Sequence, residues 1–355
     1  MKAGNGPVLV TGGAGFIGSN LADRLAAEGH EVIVFDALAR PGVERNLAWL
    51  KARHGPKITA VTADIRDARA VSEAAREAQA VFHFAAQVAV TTSLTDPVED
   101  FEINVGGAIN VLEAVRRHGR GAPVIFASTN KVYGDLADVA LELVGDAYRP
   151  LDGHTRVRGV SEARPLDFHT PYGCSKGAAD QYVLDYSRSF GLPTCVLRMS
   201  CIYGPRQMGT EDQGWVAHFL IRALEGQPIS IYGDGRQVRD ILNVADAVEA
   251  YLGAWRRIDQ VSGRAFNLGG GPANAVSLVQ LIGYIEELTG RRIDLAFSDW
   301  RAGDQRYYVS DPSAAHRELQ LPEPLDWRTG VAGLANWLAA ERAPKTPRAR
   351  AEALS

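Results

Sequence analysis

Three side chains near the middle of the sequence could together strip an alcohol of its proton: Thr129 in "STNKVYGD" (128–135), and Tyr172 and Lys176 in "PYGCSK" (171–176). A carbinol carbon gives up hydride only as its hydroxyl proton is taken away, so oxidation needs a base within hydrogen-bond reach. Tyr172 is the candidate base. A free tyrosine ionises near about pH 10, and an ammonium one helical turn along, at Lys176, favours the phenolate. Thr129 can hydrogen-bond the same hydroxyl and align it. A packed aromatic at the start of a helix is the plainer account of Tyr172, but it leaves the other two unexplained.

The two residues after Thr129 narrow the chemistry. Loss of water from a sugar needs an acid to protonate the departing hydroxyl, and these places hold Asn130 and Lys131. Neither is an acid, so this pair cannot protonate a departing hydroxyl.

Oxidation needs a hydride acceptor, and the N-terminal part of the chain is patterned to hold one. "PVLVTGGAGFIGSNLADRLAAEGHEVIVFD" (7–36) reads as strand, glycine turn, helix and strand. The Val8–Val10 run suits a buried parallel strand, Phe16, Ile17, Leu21 and Leu25 recur at helical spacing, and Gly29 fits a helix end. Gly12, Gly15 and Gly18 fall in the turn, where a helix N-terminus can hold a pyrophosphate and glycine lets the backbone approach it closely. Phe16 and Ile17 open that helix beside the dinucleotide. Asp36 closes the second strand, where a carboxylate can accept from ribose hydroxyls and repel a 2′-phosphate, so the expected cofactor is NAD. Arg40 counts the other way, since a guanidinium could hold that phosphate. Strands within "KITAVTADIRD" (57–67), "AVFHFAAQVAV" (80–90) and "PVIFAS" (123–128) then carry Asp64, Ile65, Ala85, Ala86, Gln87, Ser128 and Thr129 to the same carboxyl edge. Ligands of doubly wound sheets bind along that edge. His83 reads as an ordinary strand residue. The expected fold is therefore α/β, a doubly wound parallel sheet of Rossmann type, and the positive nicotinamide ring would add to the pull of Lys176 on Tyr172.

With "TGGAGFIG" (11–18), Thr129 and the Tyr172/Lys176 pair in this order, the chain resembles the extended short-chain dehydrogenase/reductases that act on nucleotide sugars. "RNLAWL" (45–50), "STNKVYGD", "LDFHTPYGCSKGAADQY" (166–182), "DQGW" (212–215) and "GDGRQVRD" (233–240) extend the likeness to the branch that inverts position 2 of CDP-linked sugars. Ala37 departs from it, standing where a polar residue is expected beside the ribose-binding acid, and residues 136–164 match nothing in it. The resemblance implies that Lys176 also holds the nicotinamide ribose and that Asn104 and Met199 join the cofactor contacts. It assigns Arg239 and Arg301 to the substrate diphosphate, which a planar guanidinium grips by paired bonds; a surface salt bridge is the alternative for each. It also implies dimers joined through helices near 97–118 and 171–189.

The position inverted sets the mechanism. In a 3,6-dideoxyhexose a ketone at position 4 acidifies positions 3 and 5 and leaves position 2 untouched, while position 3 has no hydroxyl to oxidise. Direct oxidation at position 2, with hydride returned to the opposite face of the 2-keto sugar, is the simple route. Gln87, Lys131 and His169 are polar, adjoin the motifs and are candidates for orienting the sugar, although His169 also reads as a loop histidine. Trp215 and Phe219, one turn apart, could line a base pocket or pack in a core. Cys201 ends a strand facing the site, or is simply a small buried thiol. Two rivals stay open: a 4-epimerase or 4,6-dehydratase of another nucleotide sugar, and a non-catalytic NAD-binding sensor, which has no use for Thr129, Tyr172 and Lys176 together.

Composition adds exclusions. The 355 residues are 46% apolar and 23% charged with net charge −4, which lacks the clustered basic excess that nucleic-acid phosphates require. Cys174, Cys195 and Cys201 are scattered without metal or disulfide spacing, so neither a zinc site nor a disulfide framework is expected. The N-terminus lacks the apolar run of a signal peptide, and no stretch approaches the ~18 apolar residues of a membrane helix, so a cytoplasmic protein is expected. The expected organisation is an NAD-binding domain over 1–200, with help from about 240–265, and a nucleotide-sugar lobe mainly over 201–341. Within that lobe "ISIY" (229–232) and "AFNLG" (265–269) read as strands. The arginine-rich end from 342 reads as a frayed tail.

Overall fold

The structure, a computed structural model, describes residues 6–118, 120–301 and 303–342. The expected tail lies outside them from residue 343 on. Seven parallel strands form the central sheet, in the spatial order Arg264–Leu268, Thr194–Met199, Val124–Thr129, Ala80–His83, Val8–Thr11, Val32–Asp36 and Ile58–Thr62. The chain order reverses between Val8–Thr11 and Ala80–His83, and that switch point opens the crevice at the strands' carboxyl ends.

Side-chain alternation divides the core between the two faces of the sheet. Val8, Val10, Phe82, Ile125 and Leu197 pack with Leu21 and Leu25 of the first helix and Tyr251 of helix Val244–Arg256. Leu9, Val81, Val124, Phe126 and Val196 pack with Val111 and Leu112 of helix Gly107–His118 and Val183 of helix Thr170–Phe190. A third core, including Phe219, Ile231, Ile241, Leu281 and Leu334, belongs to the smaller lobe.

One strand sits elsewhere than the sequence suggests. Residues from "AFNLG" do not join the smaller lobe; Arg264–Leu268 runs along the edge of the central sheet, paired with Thr194–Met199. Its Phe266 and Leu268 complete the first core cluster, so burial on the sheet face decides the matter where a short apolar run could not. The smaller lobe is built around Val238–Asn243, which pairs with Cys201–Tyr203, Ala275–Ser277 and Tyr307–Tyr308. The unmatched stretch 136–164 forms the hairpin Leu141–Val144 with Ala147–Pro150 and a short helix Gly153–Arg158. Among the described residues no helix is long and apolar enough to cross a membrane.

Candidate active site

A cleft of about 840 Å³ runs from the glycine turn to the smaller lobe, at the upper end of the usual size for small-molecule sites. Its cofactor side is made by backbone. Gly12 has φ of +66°, and a Cβ there would meet Ala85 N at 2.7 Å; one on Gly18 would meet Gly12 O at 2.2 Å. Only glycine allows this approach. Gly15 caps helix Phe16–Ala27 without a side-chain bond, leaving the positive helix end open to an anion. Asp36 faces the cleft with its carboxylate already fixed by the amides of Ala14 (3.0 Å) and Leu38 (2.9 Å). Each oxygen keeps a lone pair for a ribose hydroxyl. Phe16, Ile17, Arg40, Asp64, Ile65, Ala85, Ala86 and Met199 line the same cleft. The donor set fits a dinucleotide: bare helix amides for the pyrophosphate and a carboxylate for the ribose.

Thr129, Tyr172 and Lys176 also line the cleft, Thr129 from a strand end and the other two from one helix. Lys176 Nζ donates to Ala127 O at 2.7 Å and lies 4.2 Å from the Phe126 ring centre. Burial pushes its pKa down to about 7, against the pull of Asp180 and Asp100. Burial also pushes Tyr172 up to about 12, with the Thr129 side chain opposing. The lowering expected from Lys176 does not arise: its Nζ is bonded to Ala127 O, desolvation of the phenolate dominates, and the chain's own groups keep Tyr172 protonated.

Beneath this trio lies a buried polar network. Asp180, one turn beyond Lys176, accepts two bonds of 2.9 Å from the Arg198 guanidinium and one of 2.8 Å from Ser128 Oγ. Asp100 and Ser175 bind each other and Asn104. His83 is a buried strand residue: its Nδ1 pairs with Thr11 Oγ1 at 2.7 Å, and burial depresses its pKa to about 3. Asp180 was within reach of sequence reasoning, being an acid four residues after Lys176 on the same helix.

The substrate side is charged. Lys131 Nζ donates to Gly303 O at 3.0 Å and lies 3.9 Å from Asp304, which also pairs with Arg239 at 3.2 Å. Burial lowers the Lys131 pKa to about 8, the Arg239 charge adding to the effect and Asp304 opposing it. Gln305, fully buried, accepts from Asn130 Nδ2 and donates to Gly134 O, clamping the turn after Thr129 to the segment 303–305. Arg301 stacks 3.7 Å from the centre of the Tyr232 ring and pairs with Glu211 and Asp212. Trp215 lines the cleft and donates to Cys201 Sγ at 3.3 Å; Phe219 touches both the cleft and the third core, so pocket and packing roles coexist.

Three expected contacts do not reach the cleft. Gln87 folds back on its own loop, donating to Ala89 O and accepting from Ala89 N. Asn104 is buried, and its Oδ1 accepts from Gln87 N at 3.0 Å, so it shapes the loop after the fourth strand from behind. His169 sits half-exposed between Asp135 (3.6 Å) and Asp167 (3.2 Å), held outside by those carboxylates. That trio is the grouping among the described residues whose ligand atoms lie within 4.8 Å of one another.

Residues 8–269 match the NAD dependent epimerase/dehydratase family. The chain is 42% identical over 339 residues to CDP-paratose 2-epimerase of Salmonella typhi, covering 93% of this chain and 98% of that protein. It is 33% identical over 336 residues to dTDP-glucose 4,6-dehydratase of Mycolicibacterium smegmatis, covering 93% and 92%. The structure of UDP-glucose 4-epimerase of Thermus thermophilus in complex with NAD superposes with a TM-score of 0.79 at 31% identity, covering 95% of this chain and all of that one. The chain is therefore an NAD-using enzyme with a Rossmann-type sheet that belongs to the NAD dependent epimerase/dehydratase family of extended short-chain dehydrogenase/reductases.

Proposed function

We propose that the chain inverts position 2 of a nucleotide-linked hexose, of the CDP-paratose to CDP-tyvelose type, by transient oxidation to the 2-keto sugar. The observation that carries this reading is the pair directly after Thr129: Asn130 and Lys131 occupy the turn where elimination would need free acids. Asp304, a carboxylate beside that turn that lines the cleft, is engaged by Arg239 and Lys131, which suits it to hold cations rather than to protonate a leaving hydroxyl. The 42% identity to a 2-epimerase of CDP-paratose supports the same reading.

Bound NAD supplies a two-electron acceptor for the carbinol carbon. The protein does the rest. Tyr172 takes the hydroxyl proton as the bond to hydrogen breaks and gives it back on return, while Thr129 fixes the hydroxyl between them. Loss of that proton from a group ordinarily protonated here requires a cation nearby, which Lys176 and the oxidised ring can supply. Arg239 and Arg301 would anchor the diphosphate, about which the flat keto sugar must turn to present its other face. Lys131 donates to a ring oxygen substituent and keeps the sugar against Tyr172.

A panel of CDP-, UDP-, GDP- and dTDP-sugars monitored by NMR tests the reading. Inversion at position 2 with a CDP-sugar is the expected result, and a deuterium at position 2 stays in the sugar through turnover. Inversion at position 4, loss of water, or wash-out of the deuterium into solvent would each replace it. Leu94, Val98, Phe101 and Tyr182 lie exposed on helices Val90–Thr95, Pro97–Phe101 and Thr170–Phe190, and we infer that a second copy of the chain covers them.

A further inference from the structure

The segment 205–214 crosses the mouth of the cleft and is tied down at its start. Asn20 Nδ2 donates to Pro205 O at 3.0 Å, Asn46 Nδ2 donates to Arg206 O at 3.2 Å, and the Arg206 guanidinium lies 4.0 Å from the Trp49 ring centre. Arg206 has a left-handed φ of 72° and Gly214 one of 75°, so the chain bends sharply at both ends of the segment. Between them Thr210 and Gln213 exchange backbone hydrogen bonds of 2.9 and 3.2 Å, forming a tight turn with Glu211 and Asp212 at its tip.

That tip reaches two walls at once. Gln213 Oε1 accepts from Arg40 on the cofactor side. Across the cleft, Glu211 and Asp212 each place a carboxylate oxygen 3.4 Å from Arg301, and the Tyr232 hydroxyl donates to Glu211. The guanidinium is therefore stacked on Tyr232 and already bonded to two anions of its own chain. A planar fork has a limited number of edges for paired bonds, and a phosphate taking those edges must push the carboxylates aside. Both acids are about half exposed, at 44% and 47%, so their pairs with Arg301 are weak enough to exchange.

We propose that Glu211 and Asp212 are an internal competitor for Arg301, a strap that stands in for the substrate diphosphate and is displaced by it. The proposal rests on the reading of Arg301 as a diphosphate clamp. It makes the strap a filter on ligand charge: a diphosphate carries enough negative charge to replace two carboxylates, whereas a monophosphate replaces them poorly.

The test is equilibrium binding of CDP and CMP to the NAD-loaded protein by calorimetry, in a double-mutant cycle. Glu211→Gln/Asp212→Asn should tighten CDP binding roughly three- to tenfold and narrow the preference for CDP over CMP. The same pair of substitutions in an Arg301→Ala background should change neither, because a field effect of two lost charges would persist without Arg301 and a competition would not. Unchanged or weaker CDP binding by the double variant, or an equal gain with and without Arg301, overturns the strap. Arg301→Ala alone that binds CDP as the parent does overturns the clamp reading itself, and so separates the two failures. Retained NAD and an unchanged melting temperature check folding, and the single Glu211→Gln variant repeats the measurement if the double one fails that check.

Discussion

The two walls of the cleft are built on opposite principles. On the cofactor wall, Gly12, Gly18 and the amides that hold Asp36 offer backbone groups set by the sheet itself. On the substrate wall, Lys131, Arg239 and Arg301 each already hold a carbonyl or a carboxylate of the chain. The first wall receives its ligand without rearrangement, which favours a tightly kept cofactor. The second must exchange internal partners for ligand groups, which favours a substrate that arrives, turns and leaves. A reaction that borrows hydride and returns it to the other face needs both behaviours side by side.

The largest effect that would sharpen this contrast comes from the base. Tyr172→Phe removes the proton acceptor while the glycine wall stays intact, so kcat should fall by about 10²–10⁴-fold with NAD still bound after gel filtration. Near-normal turnover would remove Tyr172 from the mechanism. Gly18→Ala attacks the rigid wall itself. The added carbon would lie 2.2 Å from Gly12 O, so the turn must shift, and the purified variant should have lost its NAD, read as absorbance of the nucleotide released on denaturation. An NAD content equal to the parent's would show that the wall is not as fixed as its close contacts indicate.

Arg239→Ala tests the exchangeable wall. The residue is 7% exposed, and a charge-assisted bond to phosphate at such a site contributes about 1.5–3 kcal/mol. KM for the nucleotide sugar should rise roughly 10- to 100-fold, with kcat reduced far less. A fall in kcat at constant KM would move Arg239 from anchoring to chemistry.

The same contrast explains what the sequence reveals. The glycine turn, Asp36 and the Tyr172/Lys176 helix are legible because their parts lie within one strand–turn–helix unit or one helical turn, where spacing dictates geometry. Arg239 and Arg301 can be named from their motifs, but their partners cannot. Asp304 meets Lys131 across 173 positions of sequence, a separation read from the numbering, and the Asn130–Gln305–Gly134 clamp closes over a similar span. Gln87 and Asn104 stand off the cleft for a related reason. Both stand at the right edge of the sheet, but the Gln87 side chain bonds Ala89 of its own loop, and Asn104 bonds Gln87, Asp100 and Ser175. Strand Arg264–Leu268 likewise carries no local sign that it returns to the first sheet; its place is set by the two faces it must bury.

The smallest expected effect separates the two lysines. Lys131 has its pKa lowered to about 8 and Lys176 to about 7, both chiefly by burial. A lysine lowered in this way is a cation below its folded pKa and neutral above it. If Lys131 grips the sugar as a cation, KM should rise several-fold as the pH climbs from about 7 to about 9, with a midpoint near about 8. Lys131→Arg should flatten that limb, because a guanidinium keeps its charge throughout the range. Lys176 titrates nearby, but it acts at the proton transfer, so its signature belongs in kcat and survives in Lys131→Arg. A KM limb that persists unchanged in Lys131→Arg would assign it to another group and leave Lys131 as a prop for the Gly303 loop alone.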